Sequence, residues 1–130
     1  LRRDAQFGLI LTIASGGVLT EILQDASTLL VPADDLSVLA TLDSLRMARL
    51  LGGFRGGPAV SRQAILDQIQ ALVRLMHARS EIVEIEINPM MLGPDYAICA
   101  DALITVIDGN DPPENTSSHA ANSGSHKRSN

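Results

Sequence analysis

The sequence predicts an α+β fold, a mainly antiparallel sheet with two helices on one face. Three observations carry that expectation. Short runs of Val, Ile and Leu near both ends of the chain are bounded by glycine or proline, as strands are. Two longer aliphatic stripes at helical spacing fill the middle. The resulting order is β-β-β-α-α-β-β, with strands and helices in separate runs.

Leu9-Ile10-Leu11-Thr12-Ile13-Ala14 is a buried strand halted by the turn Ser15-Gly16-Gly17. Val18 to Leu23, with Glu21 midway, offers a second strand, and Thr28 to Val31 a third before Pro32. Asp34 or Asp35 caps a helix running to about Leu51, where Leu36, Leu39, Leu42 and Leu45 recur and Gly52-Gly53 stop the chain. Ser61 caps a second helix, whose apolar stripe is Ile65, Leu66, Ile69, Leu72, Val73 and Met76. Ala64, rather than Glu, stands at its third helical position, so the full capping box is absent.

The closing pair of strands carries the chemistry. Ile82, Val83, Ile85 and Ile87 alternate with Glu81, Glu84 and Glu86, a half-buried strand ended by Asn88-Pro89. The proline ring keeps Asn88 extended and removes a ladder donor, so the Asn88 side chain is presented at a strand end. Met90 to Pro94 turn the chain, and Tyr96 to Ile107 form the return strand, with Asp101 set among apolar residues. Such a hairpin brings Asn88 and Asp101 together at its open mouth. Hard oxygen donors of this kind suit Mg²⁺. Read without Asp101, the three glutamates are equally well the solvated face of an edge strand.

Composition narrows the alternatives. With 130 residues, 45% of them hydrophobic, the chain forms one modest core. A net charge of -5, two Phe, one Tyr and no Trp argue against a nucleic-acid partner. No run reaches the ~18 apolar residues of a membrane helix, and no signal peptide is visible. The single cysteine, Cys99, is expected to be a small core residue in a cytoplasmic protein. Residues 1–108 are expected to form the folded lobe, cut from a longer protein, and the Asn-, Ser- and Pro-rich residues 109–130 a disordered tail. His119 and His126 in that tail are poor evidence for a metal site.

The segment Glu84-Ile85-Glu86-Ile87-Asn88-Pro89 with Cys99-Ala100-Asp101-Ala102 resembles the end of the ATP-grasp domain in ADP-forming acyl-CoA synthetases. That group includes acetate–CoA ligases and, more distantly, the β subunit of succinyl-CoA synthetase. Three further matches stand in the same order: Gly16-Gly17-Val18-Leu19-Thr20-Glu21 with Asp25, then Leu29 to Pro32, then Gly53-Phe54-Arg55-Gly56-Gly57-Pro58. The resemblance implies an enzyme that joins a carboxylic acid to CoA while ATP becomes ADP and phosphate, through an acyl phosphate and a phosphohistidine carrier. It implies that Asn88 and Asp101 ligate Mg²⁺ on the ATP phosphates and that Glu86 faces the transferred phosphoryl group or the arriving histidine. By the same pattern Glu21, Gly16 and Gly17 lie beside the nucleotide and Arg55 clamps phosphate oxygens.

Each of these residues also has a plainer reading. On the residues alone Gly16-Gly17 reads as a hairpin turn, since no helix follows to add its dipole, Glu21 equally as a solvated strand residue and Arg55 as a solvated loop residue. His77 ends the second helix, where a cation favours the dipole, and does not match the carrier. The one lysine is Lys127, and no G-x-x-x-x-G-K-[ST] occurs, so a phosphate-gripping lysine belongs to another segment. The expected partners are therefore an N-terminal ATP-grasp lobe and a CoA-binding domain or subunit, without which this lobe is inactive. Two alternatives stay open: a non-catalytic binding or assembly module, and a lobe of another ATP-grasp carboxylate ligase.

Overall fold

The computed structural model describes residues 1–16, 25–53 and 55–107. The strand expected at 18–23, the tail expected from 109, and the site residues Gly17 and Glu21 lie outside them. Among the described residues the order is β1 (Arg2–Asp4), β2 (Gly8–Ala14), β3 (Ala26–Val31), α1 (Asp35–Asp43), α2 (Ala48–Leu51), α3 (Arg62–Ala78), β4 (Ile82–Ile87), β5 (Met90–Leu92), β6 (Ala97–Cys99) and β7 (Ala102–Val106). A five-stranded antiparallel sheet has the order β3-β2-β1-β4-β7, and β5 and β6 form a separate two-stranded ribbon.

Alternation along the strands decides which face is covered. Leu9 and Leu11 of β2, Val31 of β3 and Ile85 of β4 point to the helices, where they join Val38, Leu42, Ile65, Leu66, Ile69 and Met76 in one core. Arg2, Thr12, Thr28, Glu84 and Glu86 are exposed on the other face, which no helix covers among the described residues. The two longer helices on one side of an antiparallel sheet are the α+β layer that the sequence predicts.

Local chemistry explains the boundaries. Asp34 caps α1 by accepting the Ser37 N–H at 2.7 Å, and Ser61 caps α3 by accepting the Ala64 N–H at 3.1 Å. The expected stripe of α3 is the buried one. That of α1 is rotated: Leu36 is 78% exposed, while Val38, Leu42 and Leu45 are buried.

The structure also departs from the expectation in three places. A single helix to Leu51 is replaced by α1 and the one-turn α2, because the Asp25 carboxylate takes the N–H groups of Arg46 and Met47 at 2.8 and 3.0 Å. Arg2–Asp4, a charged run without a strand pattern, forms the central strand. It is held by reciprocal backbone bonds between Leu1 and Ile85 and by the Arg3 guanidinium, which donates to the carbonyls of Met76 at 2.7 Å and Ile82 at 3.3 Å. Third, the return strand breaks at Ala100-Asp101 and β4 at Asn88-Pro89, so the hairpin bends from the main sheet into the ribbon. Cys99 is half-buried at the end of β6, with Sγ 3.8 Å from Gln68 Oε1.

Candidate functional site

The bend in the hairpin builds the site. Asn88 donates its backbone N–H to the Asp101 carbonyl at 3.1 Å, and Ala100 donates to the Pro89 carbonyl at 3.1 Å, so the two arms stay paired through the joint. Asn88 and Asp101 therefore stand at the joint of the hairpin rather than at its open mouth, which lies at Ile82 and Val106. One turn of the pleat earlier, Glu86 is in register with Leu103 on the uncovered face. Glu86, Asn88, Asp101, Ala102 and Leu103 line an open hollow of about 210 Å³.

Three of the predicted residues thus converge. All three are exposed, and one Asp101 oxygen accepts the Ala102 N–H at 2.8 Å, which fixes the carboxylate while leaving acceptor capacity over. Two carboxylates and an amide oxygen at an open edge form a donor set for a small hard cation. Such an ion takes one or two carboxylates and completes its shell with water and ligand oxygens. Among the described residues no group of three or more His, Cys, Asp or Glu side chains is placed to hold a metal by itself. Leu103, an exposed apolar neighbour, is the lining residue that sequence reasoning missed; its position directly after Asp101-Ala102 was the available signal.

Register places Gly16 at the same end of the sheet. Ile10 pairs with Arg2 and Arg2 with Glu84, so, counting along each strand, Ala14 stands level with Asn88. A Cβ on Gly16 would meet nothing within 4 Å, so packing does not demand glycine there. At the base of this end Ser15 donates its N–H to the Asp25 carbonyl at 2.9 Å. Asp25 itself is buried, and its carboxyl is held below the usual value by the N–H of Arg46 first and then of Met47, against the opposing effect of burial.

Arg55 is not among the residues lining the hollow. It lies in the loop that follows α2, with a φ of 52°, between Gly53 at 94° and Gly56 at 82°. Left-handed backbone at a non-glycine residue costs about 1–3 kcal/mol and persists where surrounding structure or function requires it. The glycine is demanded at position 53, where a Cβ would come 2.7 Å from the Gly57 carbonyl. The loop returns to α3 at Ser61, whose N–H donates to the Gly93 carbonyl in the turn of the ribbon at 2.8 Å. A second cavity, of about 170 Å³, opens between β3, α1 and α3; its wall is mainly aliphatic, and it contains none of the predicted site residues. No helix among the described residues is long and apolar enough to cross a membrane.

Residues 1–106 match the ATP-grasp domain family. This chain belongs to that family. The ATP-grasp chain is 35% identical over 100 residues to the β subunit of acetate–CoA ligase (ADP-forming) I of Pyrococcus furiosus, covering 77% of this chain and 43% of the relative. It is 33% identical over 107 residues to a trans-feruloyl-CoA synthase from an unknown prokaryotic organism, covering 81% of this chain and 15% of the relative. Among solved structures it resembles a dinucleotide-forming acetyl-coenzyme A synthetase of Candidatus Korarchaeum cryptofilum, at 30% identity and a TM-score of 0.75, over 82% of this chain and 50% of that one. That structure holds coenzyme A and Mg-AMPPCP, with a phosphohistidine segment pointing towards the nucleotide-binding site. The ATP-grasp chain described here therefore spans at most half the length of these relatives.

Proposed function

We propose that this ATP-grasp chain is the nucleotide- and Mg²⁺-binding C-terminal lobe, residues 1–108, of an ADP-forming acyl-CoA synthetase. The overall reaction is carboxylic acid + CoA + ATP to acyl-CoA + ADP + phosphate. The observation that carries this reading is the convergence of Glu86, Asn88 and Asp101 on one open hollow. It occurs in a chain 30% identical to a synthetase whose structure holds Mg-AMPPCP.

In this reading Asn88 Oδ1 and the Asp101 carboxylate hold the cation, their positions set by the backbone bond between them. When bound, Mg²⁺ neutralises charge that builds on the phosphate oxygens during transfer. Glu86, on the same face and next to Leu103, turns its carboxylate to the reacting end of the nucleotide. There it orients the imidazole of the histidine that takes the phosphoryl group. That histidine comes from another segment, since His77 lies in the last turn of α3. Arg55 supplies a bidentate cation to phosphate oxygens from its loop, and Gly16, Gly17 and Glu21 flank the nucleotide.

The other lobe of the clamp, the phosphate-gripping lysine and the CoA-binding domain or subunit come from the rest of the assembly, which works in the cytoplasm. This lobe by itself is inactive. A second reading, a docking module without catalysis, draws on one observation: Leu30 and Leu103 are exposed on the uncovered face at 56% and 65%.

Nucleotide product analysis decides between them. The full-length protein carrying this sequence is given Mg-ATP, CoA and a panel of acids, with Asn88→Ala and Asp101→Ala alongside. ADP that forms only with acid and CoA, and is lost in both variants while the fold persists, supports the synthetase. Absence of ADP, or variants equal to the parent, leaves the hairpin as scaffold and favours the docking module.

A further inference from the structure

Ser15 and Asp25 are the buried polar residues of the described chain, at 7% and 8% exposure. A carboxylate out of water costs free energy unless its oxygens are bonded, so its retention here calls for a reason. Asp25 reaches in two directions. Its backbone carbonyl accepts the Ser15 N–H at 2.9 Å and lies 3.4 Å from Ser15 Oγ. Its two carboxylate oxygens separately accept the Arg46 and Met47 N–H groups at 2.8 and 3.0 Å. The first set closes the base of the corner that carries Gly16. The second anchors the turn from which α2 leads, one helical turn later, into the loop bearing Arg55.

The register puts this junction at the working end of the sheet. Ala14 pairs with Ala26, and Ala14 stands level with Asn88 two strands away. The Gly16 corner and the root of the Arg55 loop are thus fastened to one buried residue, the first through its backbone carbonyl and the second through its carboxylate, at the same end of the sheet as Asn88.

We propose that Asp25 is a positioning residue for the nucleotide site, a clasp that locks the Ser15–Gly16 corner to the Arg46–Met47 turn and thereby places the Arg55 loop. The link to nucleotide rests on the function proposed above; the clasp itself does not. An asparagine at this position keeps size and backbone but has one acceptor oxygen, so one of the two N–H groups faces an NH₂ donor. In the observed geometry each N–H has its own carboxylate oxygen, an arrangement an amide cannot reproduce.

Asp25→Asn and Asp25→Ala in the full-length protein test this, with Asp4→Asn as the control. Asp4 also accepts two backbone N–H groups, those of Gln6 and Phe7 at 2.9 and 3.0 Å, but in the turn at the opposite end of the sheet. Hydrogen exchange is read by residue, and KM is measured separately for ATP, acid and CoA. In the Asp25 variants the amides of Ser15, Arg46, Met47 and the Gly53–Gly57 loop should exchange about tenfold faster or more, while α3 and β4 stay protected. KM for ATP should rise about tenfold, with KM for acid and CoA unchanged, and Asp4→Asn should leave all three unchanged. The clasp is overturned if faster exchange stops at Arg46 and Met47, or if every element loosens equally. Its role at the nucleotide is overturned if KM for ATP is unmoved while the loop loosens. Should the parent protein turn over no ATP, the proposed function fails, and the exchange measurement still decides the clasp.

Discussion

The backbone N–H of Asn88 and the carbonyl of Asp101 are joined at 3.1 Å across the bend of the β4–β7 hairpin. Thirteen positions apart in sequence, the two residues are held as neighbours by main-chain pairing, so their side chains can be changed without removing the bond that aligns them. This separates chemistry from scaffold at the proposed cation site.

Asp101→Asn retains an oxygen for the Ala102 N–H and discards the charge. Both forms are exposed, so stability should change by less than about 1 kcal/mol. ADP formation by the full-length protein should fall by about a hundredfold or more, and added Mg²⁺ should restore part of it. An unchanged Mg²⁺ dependence in this variant and in Asn88→Ala would count against these residues as ligands.

The loop around Arg55 offers a contrast between two glycines. Gly53→Ala adds a Cβ 2.7 Å from the Gly57 carbonyl at a φ of 94°. Gly56→Ala, at 82°, meets nothing within 4 Å and bears the backbone cost alone. Urea unfolding should show a loss of about 1–2 kcal/mol for position 56 and a larger one for position 53. Equal losses would mean that the loop relaxes around the new methyl group.

Acid should act through four carboxyls held low in the folded chain, three aspartates and Glu81. Hydrogen bonds lower the carboxyls of Asp4, Asp25 and Asp34 from their ordinary value of 3.8, and that of Glu81 from the ordinary glutamate value. The folded state therefore binds their protons less readily than the unfolded state. The stability they contribute is fully present above the ordinary values and is lost as pH falls through them towards the lower folded values. Unfolding followed between pH 6 and pH 2 should show stability declining below about pH 4. Asp25→Asn should be less stable near neutrality and have a flatter decline; a slope equal to the parent's would exclude Asp25 from the linkage.

Ile85 and Ile104 form a register pair across β4 and β7, yet Ile85 is 2% exposed and Ile104 47%. Ile85→Ala should cost about 2–5 kcal/mol, because the helices above it cannot fully close the cavity. Ile104→Ala, at the sheet edge, should cost about 1 kcal/mol or less. Denaturant midpoints of the two variants check the difference.

Much of this architecture was legible in the sequence. The β2 run, the Ser61 cap, the α3 stripe and the Glu-Ile-Glu-Ile strand each follow from spacing within a few residues, and each stands where the spacing puts it. Arg2–Asp4 was not legible, because its place in the sheet depends on Leu1 meeting Ile85, 84 positions away, and on Arg3 bonding the end of α3. The break after α1 was hidden for the same reason. Its cause is a carboxylate more than twenty positions earlier, and the local leucine periodicity continues through it.

The candidate site divides along similar lines. The types of residue at Glu86, Asn88 and Asp101 announced hard oxygen donors, and the proline after Asn88 announced a strand end. What the sequence by itself determined is which groups are available and which short segments are helix or strand, since both depend on neighbours a few bonds away. Tertiary structure alone decided that Asn88 and Asp101, which the hairpin pattern brings together, meet at the joint of a bent hairpin, that Gly16 shares their end of the sheet, and that Asp25 ties two distant loops together. Those relations are set by strand register and by long-range hydrogen bonds, whose partners are chosen only when the chain closes on itself.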